Sequence, residues 1–332
     1  MNRFDWVDAT RVESALGRLQ GGAAIKAGGI DLLDLMKERV ATPPRVVNIR
    51  NIPNLDGIAG DAATGLRLGP LVTLARLASD PLVRSLAPAL AEAAGHAATP
   101  QVRNVATLGG NLLQRPRCWY FRADASEQEP CRKRGGDACF AIEGQHQTHA
   151  VFGNGTCAIV HPSSTAVPLV ALGASVELTG PRGARAVLLE EFFTPPEKDV
   201  TRENSLAADE LITAVLVPAG WTSPKLRSAY VKHAERESFD WPLADVAVVL
   251  ILDPGGVCKK ASIVLGAAAP VPWRAREAEA ALTGKRVDDE GARAAAKAAL
   301  SGATPLPGNA YKLPVFEVIV RRALLAAAGG AR

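Results

Sequence analysis

The stretch RCWYFRADASEQEPCRKRGGDACF, residues 117–140, carries Cys118, Cys131 and Cys139, and Cys157 follows shortly after. Its apolar residues show neither helical spacing nor strand alternation. A long loop inside a folded chain needs something to hold it, and four thiols can supply that through metal–sulfur bonds. The spacing is neither the paired CxxC of a zinc ribbon nor a compact ferredoxin run. Three readings stay open on spacing alone: a [4Fe–4S] cluster, a four-cysteine zinc site, or free thiols. For a cluster, Arg117, Arg122, Arg132, Lys133 and Arg134 would offset its negative charge.

Five cysteines in 332 residues are too sparse for a disulfide framework. Cys258, in DPGGVCKKASIVL, stands apart and reads as a small strand-edge residue. A formal charge of +4 with no basic stripe interleaved with aromatics does not mark a nucleic-acid binder. RKR at 132–134 reads as a solvated loop face or a local anion partner. Asp5, Asp8 and Glu13 fall where a signal peptide would be apolar, so no export address is expected on this chain. The strongest apolar run, VAVVLIL at 246–252, is strand-sized and no membrane span is expected.

Short β-rich runs alternate with helical ones. RVVNIRNI (45–52), GLRLGPLVTL (65–74), ASVELTG, ARAVLLEEFF and ELITAVLVP are strand candidates, and residues 75–95 are helical with proline interruptions. The pattern predicts an α+β chain rather than a regular βαβ array. PAGWTSPK, 218–225, marks a boundary. Beyond it KLRSAYVKHA, ADVAVVLILD and KKASIVLGAAA predict three strands. DDEGARAAAKAALSGA and LPVFEVIVRRALLAAA predict two helices on one face of their sheet.

Two glycine pairs each follow an apolar run. IKAGGIDLLDLMKE holds Gly28 and Gly29, with Asp31 as a candidate N-cap and Leu32, Leu33, Leu35 and Met36 as an apolar stripe. RNVATLGGNLLQ holds Gly109 and Gly110. Neither is a GxGxxG or a Walker loop. Glycine lets a backbone approach a ligand, and free amides at a helix start attract phosphate oxygens. Two such loops in one domain suggest a diphosphate site.

AGGIDLLDLM, RNVATLGGNLLQRPRCWYFR, CRKRGGDACFAIEG, HPSSTAVPLVALGASVEL and YVKHAERESFDWPLADVAVVL together resemble the FAD-binding subunits of xanthine dehydrogenase-family molybdenum hydroxylases. Among these, the cysteine loop is most similar to the iron–sulfur flavoprotein subunit of bacterial three-subunit aldehyde oxidoreductases. The resemblance implies a two-subdomain FAD domain of the vanillyl-alcohol-oxidase type (1–56 and 57–219, with a cysteine insertion at about 114–158). A small α/β domain of the CO dehydrogenase flavoprotein type, 224–332, would follow. It implies that Lys26, Ala27, Gly28, Gly29, Ile30, Asp31, Leu32 and Leu33, with Thr107, Gly109, Gly110 and Asn111, wrap FAD, and that Ile212 and Lys232 stand at the flavin. Cys118, Cys131, Cys139 and Cys157 match the [4Fe–4S] ligands. The family's usual aspartate is absent from HPSST, where Ser164 or Thr165 stands in its place; Thr165 is the residue carried over.

The same resemblance implies an electron-transfer subunit. A partner with a molybdenum cofactor would oxidise the substrate. A [2Fe–2S] partner would pass electrons to FAD here, in a heterotrimer or its dimer, for delivery to an external acceptor. No acid–base pair is expected in this chain. His146, His149, His161 and His233 read as surface or loop residues, and Glu235, Arg236, Glu237 and Asp240 as a solvated turn near Lys232. The compartment would be the cytoplasm, or the periplasm if a partner carries the export signal. The rival readings are a zinc-stabilised nucleotide-binding module and a free-standing flavin oxidase.

Overall fold

Val46 and Val47 are fully buried at the centre of a short parallel sheet. Its strands are β1 (Asp5–Asp8), β2 (Ala24–Lys26) and β3 (Arg45–Asn48), in the order β1-β3-β2. A parallel pair needs a crossover. Here the chain leaves β2 at Lys26, turns through Gly28 and Gly29, and returns by the helix Ile30–Lys37. The computed structural model describes residues 1–124, 129–221, 226–236 and 239–329.

A second sheet is antiparallel: β4 (Ile58–Asp61), β5 (Gly65–Leu68), β6 (Ser175–Gly180), β7 (Gly183–Leu188) and β8 (Leu211–Val217), in the order β4-β5-β8-β6-β7. The strand expected over 65–74 ends at Leu68, because Pro70 cannot donate to a ladder and Thr73 caps the next helix. The helical run divides into Leu74–Ser79, Pro81–Leu86 and Pro88–Gly95, with a proline in the first turn of the second and third. Proline tolerates that position because its missing N–H has no intrahelical partner there. ARAVLLEEFF is strand only to Leu188, and Leu189–Phe192 is a helical turn.

The third sheet is also antiparallel: β9 (Arg227–His233), β10 (Ala244–Leu252), β11 (Cys258–Gly266) and β12 (Trp273–Arg274), in the order β12-β11-β10-β9. The apolar run is β10, and both its faces are covered. Ala247 and Val249 face a core shared with the Pro88–Gly95 and Ala166–Ala171 helices, while Val246, Val248 and Leu250 face the C-terminal helices. Those number three among the described residues, since Arg276–Leu282 joins the two expected, Asp289–Ala298 and Lys312–Ala328. The last buries Phe316, Ile319, Val320, Ala323, Leu324 and Ala327 on one stripe and ends at Gly329 with φ 95°. Full burial of Phe316 alone stabilises by about 2–3 kcal/mol. Cys258 is buried in this core, away from the other cysteines. Of the boundary at 218–225, residues 222–225 lie outside the described residues.

Candidate functional site

A cavity of about 490 Å³ opens where the three sheets meet, within the range usual for small-molecule and cofactor sites. The end of β2 and the start of the Ile30–Lys37 helix supply Lys26, Ala27, Gly28, Gly29, Ile30, Asp31 and Leu32. Thr107, Gly109, Gly110 and Asn111 form the facing wall, Ile212 comes from β8 and Lys232 from β9. Of the cofactor residues expected from the sequence, Leu33 and Thr165 do not line it. Leu33 packs instead behind Gly29. Thr165 is fully buried, and its hydroxyl donates to Asn111 Oδ1 at 2.6 Å, as Ser163 does at 2.7 Å. From the HPSST turn the cavity is lined by Pro162 and Ser164.

The two glycine loops are not equivalent. A Cβ at Gly28 would lie 2.3 Å from the Val105 carbonyl oxygen, so Gly28 lets the first loop press against the turn leading into the second. Gly29, not Asp31, is the N-cap, with φ 85°. The first-turn amides of its helix have no intrahelical partner, and no side chain caps them. In the second loop the amides are spent internally. Gly109 N donates to Pro70 O at 2.8 Å, Gly110 N to Thr107 Oγ1 at 3.2 Å and Asn111 N to Thr107 O at 2.8 Å. One loop therefore offers free donors and the other shapes the wall.

Lys232 Nζ donates to the carbonyls of His96 and Asp240 at 3.1 and 2.6 Å. Desolvation lowers its pKa, and Asp245 and Asp240 act against that. Sequence reading missed the Ala97–Thr99 wall. Ala98 has φ 46°, and Arg103 holds the turn by donating to the Ala97 and Ala98 carbonyls at 3.0 and 2.6 Å. An alanine gives no sign of that backbone. Phe239, Asp240 and Trp241 form the rim, with Phe239 and Trp241 exposed and Arg117 over the Trp241 ring. Arg236 pairs with Asp240 on the surface, while Glu237 lies outside the described residues.

Asp31 instead ties the cavity to the cysteine loop. Its Oδ1 pairs with Arg122 at 2.6 Å and Arg117 at 2.8 Å, and its Oδ2 accepts from Arg115 N at 2.8 Å. Asp34 takes the other ends of both guanidiniums. Glu203 pairs with Arg115 and with Lys133, which is buried rather than solvated. Arg132 and Arg134 donate to the loop's own and neighbouring carbonyls. The basic residues expected to offset a cluster's charge thus serve first as staples. Nor does the loop lack apolar burial. Leu35, Phe121 and Cys131 form a small core with Val40, Ala41, Cys118 and Phe140 around them.

Cys118, Cys131, Cys139 and Cys157 all line one void, with Phe121, Phe140 and Ile159. Three of them immediately precede a helical turn: Cys118 before Trp119–Arg122, Cys131 before Arg132–Arg134 and Cys139 before Phe140–Glu143. At Cys118 and Cys139 that placement turns first-turn amides toward sulfur. Burial pushes the Cys118 thiol up to about 11, against the pull of the Phe121 and Tyr120 amides. Cys139 and Cys157 share a hydrogen bond, which lowers Cys139 and raises Cys157. Among the described residues no three His, Cys, Asp or Glu side chains converge as on a single metal ion. The void is about 10 Å³, so the thiols would have to move apart to admit a polynuclear group. Of the histidines expected at the surface, His146, His149 and His161 are buried and only His233 is exposed. His149 Nε2 lies 3.3 Å from Cys118 Sγ, and its ring packs edge-on against Trp119.

The profile of the FAD binding domain in molybdopterin dehydrogenase matches residues 2–220, and that of the CO dehydrogenase flavoprotein C-terminal domain matches 229–327. The aldehyde oxidoreductase FAD-binding subunit PaoB of Escherichia coli K12 is 37% identical over 308 residues, covering 92% of this chain and 91% of that one. The carbon monoxide dehydrogenase medium chain of Hydrogenophaga pseudoflava is 31% identical over 316 residues, covering 94% and 91%. A solved carbon monoxide dehydrogenase from Hydrogenophaga pseudoflava superposes with TM-score 0.76 at 31% identity, covering 99% of this chain and 98% of that one. Fold and cavity thus define an FAD-binding oxidoreductase subunit. The chain belongs to the family of FAD-binding subunits of molybdenum hydroxylases. The residues present fit the dinucleotide, since the helix end at Gly29, which no side chain caps, lines a mostly apolar cavity of about 490 Å³.

Proposed function

We propose that this chain is the FAD- and [4Fe–4S]-carrying electron-transfer subunit of a molybdenum-dependent aldehyde or xanthine-type oxidoreductase. Its partners in this reading are a molybdenum-cofactor large subunit and a [2Fe–2S] small subunit, in a heterotrimer or its dimer, and electrons leave to an external acceptor. The observation that carries the reading is the convergence of four cysteines on one void, in a loop that Asp31 pins to the cavity's helix. Similarity to an aldehyde oxidoreductase subunit supports the choice of complex.

Bound FAD and cluster would supply one-electron transfer. The work of this chain's own residues is binding, orientation and electrostatics. Gly28 and Gly29 shape the open helix end for phosphate oxygens, Ile212 gives an apolar wall and Lys232 a fixed cation. Cys118, Cys131, Cys139 and Cys157 would hold the cluster, and the Asp31–Arg122 pair would keep its loop in register with the cavity. Among the described residues no helix is long and apolar enough to cross a membrane. The compartment is then set by the partners: cytoplasm, or periplasm by export with a signal-bearing subunit.

Isolation of the native complex tests this. Three kinds of chain are expected, and addition of an aldehyde should bleach the flavin and iron–sulfur absorbance of this subunit together. A colourless, zinc-bearing chain would favour a nucleotide-binding module. Aldehyde turnover by the isolated chain would favour a free-standing flavin oxidase.

A further inference from the structure

His149 is a buried imidazole to which none of the roles above gives a task. Only 2% of it is exposed, and it lines the void of the four cysteines. Its Nε2 lies 3.3 Å from Cys118 Sγ. Its Nδ1 is buried with no hydrogen-bond partner. The ring stands edge-on to Trp119 at 5.0 Å between centroids, with the Tyr120 ring at 6.4 Å. A buried polar atom without a partner costs free energy, and an apolar side chain would fill the same space without that cost. What the imidazole gains in exchange is the contact of its other nitrogen with sulfur.

The backbone aims the ring. His149 N donates to His146 O at 3.0 Å. His149 O accepts from Asn309 Nδ2 at 3.2 Å and from Lys312 Nζ at 3.0 Å. Asn309 and Lys312 are both fully buried, and both belong to the C-terminal part of the chain. Ala150 N donates to Ala158 O at 2.9 Å, which sets His149 beside the arm that carries Cys157. Val151 N, next in the chain, donates to Ala268 O at 2.8 Å. The segment that presents His149 is thus held from outside the cysteine loop. A cysteine–histidine pair can also serve as a nucleophile and its base, but the void of about 10 Å³ leaves no room for a substrate.

We propose that His149 donates its Nε2–H to the Cys118 sulfur when that sulfur ligates the cluster, and that this bond raises the cluster's reduction potential. The inference rests on the [4Fe–4S] reading of the four cysteines. In a free thiol the shared proton can sit on either atom. A metal-bound thiolate carries no proton and can only accept, so the proton then sits on Nε2 and Nδ1 is the bare acceptor. Reduction adds negative charge that spreads onto the ligand sulfurs. A donor at one of them stabilises the reduced form more than the oxidised form, and hydrogen bonds to sulfur are among the levers that set such potentials. His149 acts through Cys118 and is a positioning residue. Through Asn309 and Lys312, the C-terminal domain then has a part in setting the potential of a cluster whose ligands all lie in the FAD domain.

Iron, sulfide and zinc are measured first in the purified full chain. The cluster potential is then read by redox titration with electron paramagnetic resonance in wild type, His149→Phe and His149→Gln. His149→Phe keeps an aromatic ring and removes the donor, while the amide nitrogen of His149→Gln stands near the place of Nε2. The potential should fall in His149→Phe by about 59 mV, a tenfold change in a one-electron equilibrium, and His149→Gln should recover most of it. In wild type grown with 15N-labelled histidine, a histidine nitrogen should couple to the spin of the reduced cluster, which decides the matter where His149→Phe loses iron. Iron-loaded His149→Phe at the wild-type potential would overturn the role of His149. So would a His149→Gln no closer to wild type than His149→Phe, or iron-loaded wild type without histidine coupling. Zinc or no metal in wild type would overturn the cluster reading and this inference with it.

Discussion

Oδ1 of Asp31 stands 2.6 Å from Nη2 of Arg122, so one carboxylate in the first turn of a cavity-facing helix also anchors the cysteine loop. The Arg122 side chain is only 9% exposed and that of Asp31 16%, so the pair is poorly screened. Coupling between the two sites is the consequence. Asp31→Asn leaves two guanidiniums short of a charge partner and should cost on the order of 2–4 kcal/mol. Cleavage by a protease within 117–140 should rise and FAD content should fall in the same preparation. Unchanged denaturation and unchanged proteolysis would show that the two sites are independent.

The glycines should rank by what a side chain meets. Gly28→Ala forces its Cβ against the Val105 carbonyl and should cost about 2–3 kcal/mol, with most of the FAD lost. Gly29→Val combines φ 85° with crowding by Lys26 and Leu33, and should also lose FAD. Gly110→Ala meets only the Thr107 hydroxyl at 3.1 Å and should stay within about 1 kcal/mol of wild type. FAD per purified chain and urea midpoints test the order. A Gly110→Ala variant worse than Gly28→Ala would contradict it.

Asp245 predicts a pH dependence of stability. Desolvation raises it from the ordinary 3.8 to about 6. A carboxyl raised on folding contributes stability that is complete below pH 3.8 and is lost as pH climbs through about 6. At about 1.4 kcal/mol per pH unit, the full effect is roughly 3 kcal/mol. The wild type should therefore lose stability relative to Asp245→Asn between about pH 4 and pH 7. Urea denaturation of both across that range measures the difference, and parallel curves would exclude it.

Lys232→Met should keep the fold, because the side chain bonds only carbonyls in the described structure. It removes a cation from the cavity wall, and in the proposed function the flavin midpoint potential should fall, since a fixed positive charge favours the reduced, anionic form. Potentiometric titration of the FAD-loaded chain reads this. A potential equal to that of wild type, at full FAD occupancy, would remove Lys232 from the flavin site.

Much of this architecture was legible from pattern. The apolar run at 246–252 became β10, and the two glycine loops came together on one cavity. What stayed hidden depended on tertiary contacts. Asp31 looks like a cap because aspartate caps helices, but three arginine groups 84 to 91 residues away in sequence claim it instead. Lys133 sits in a run of basic residues that reads as solvated, until Glu203 and two carbonyls from a distant segment bury it. His149 gives no local sign that it will point at Cys118. Ser164 and Thr165 are neighbours in a turn, and only the fold shows which faces the cavity.

In the proposed function Cys118, Cys131, Cys139 and Cys157 hold one [4Fe–4S] cluster beside FAD, while Cys258 has no part in it. Cys258 lies buried in the C-terminal core, away from the shared void. Iron, acid-labile sulfide and FAD are to be quantified in wild type and in the five single cysteine-to-serine variants. About four iron and four sulfide per chain are expected in wild type and in Cys258→Ser, with loss or degradation of the cluster in each of the other four. A wild type that carries zinc or no metal, full iron in Cys139→Ser, or iron lost in Cys258→Ser would contradict it.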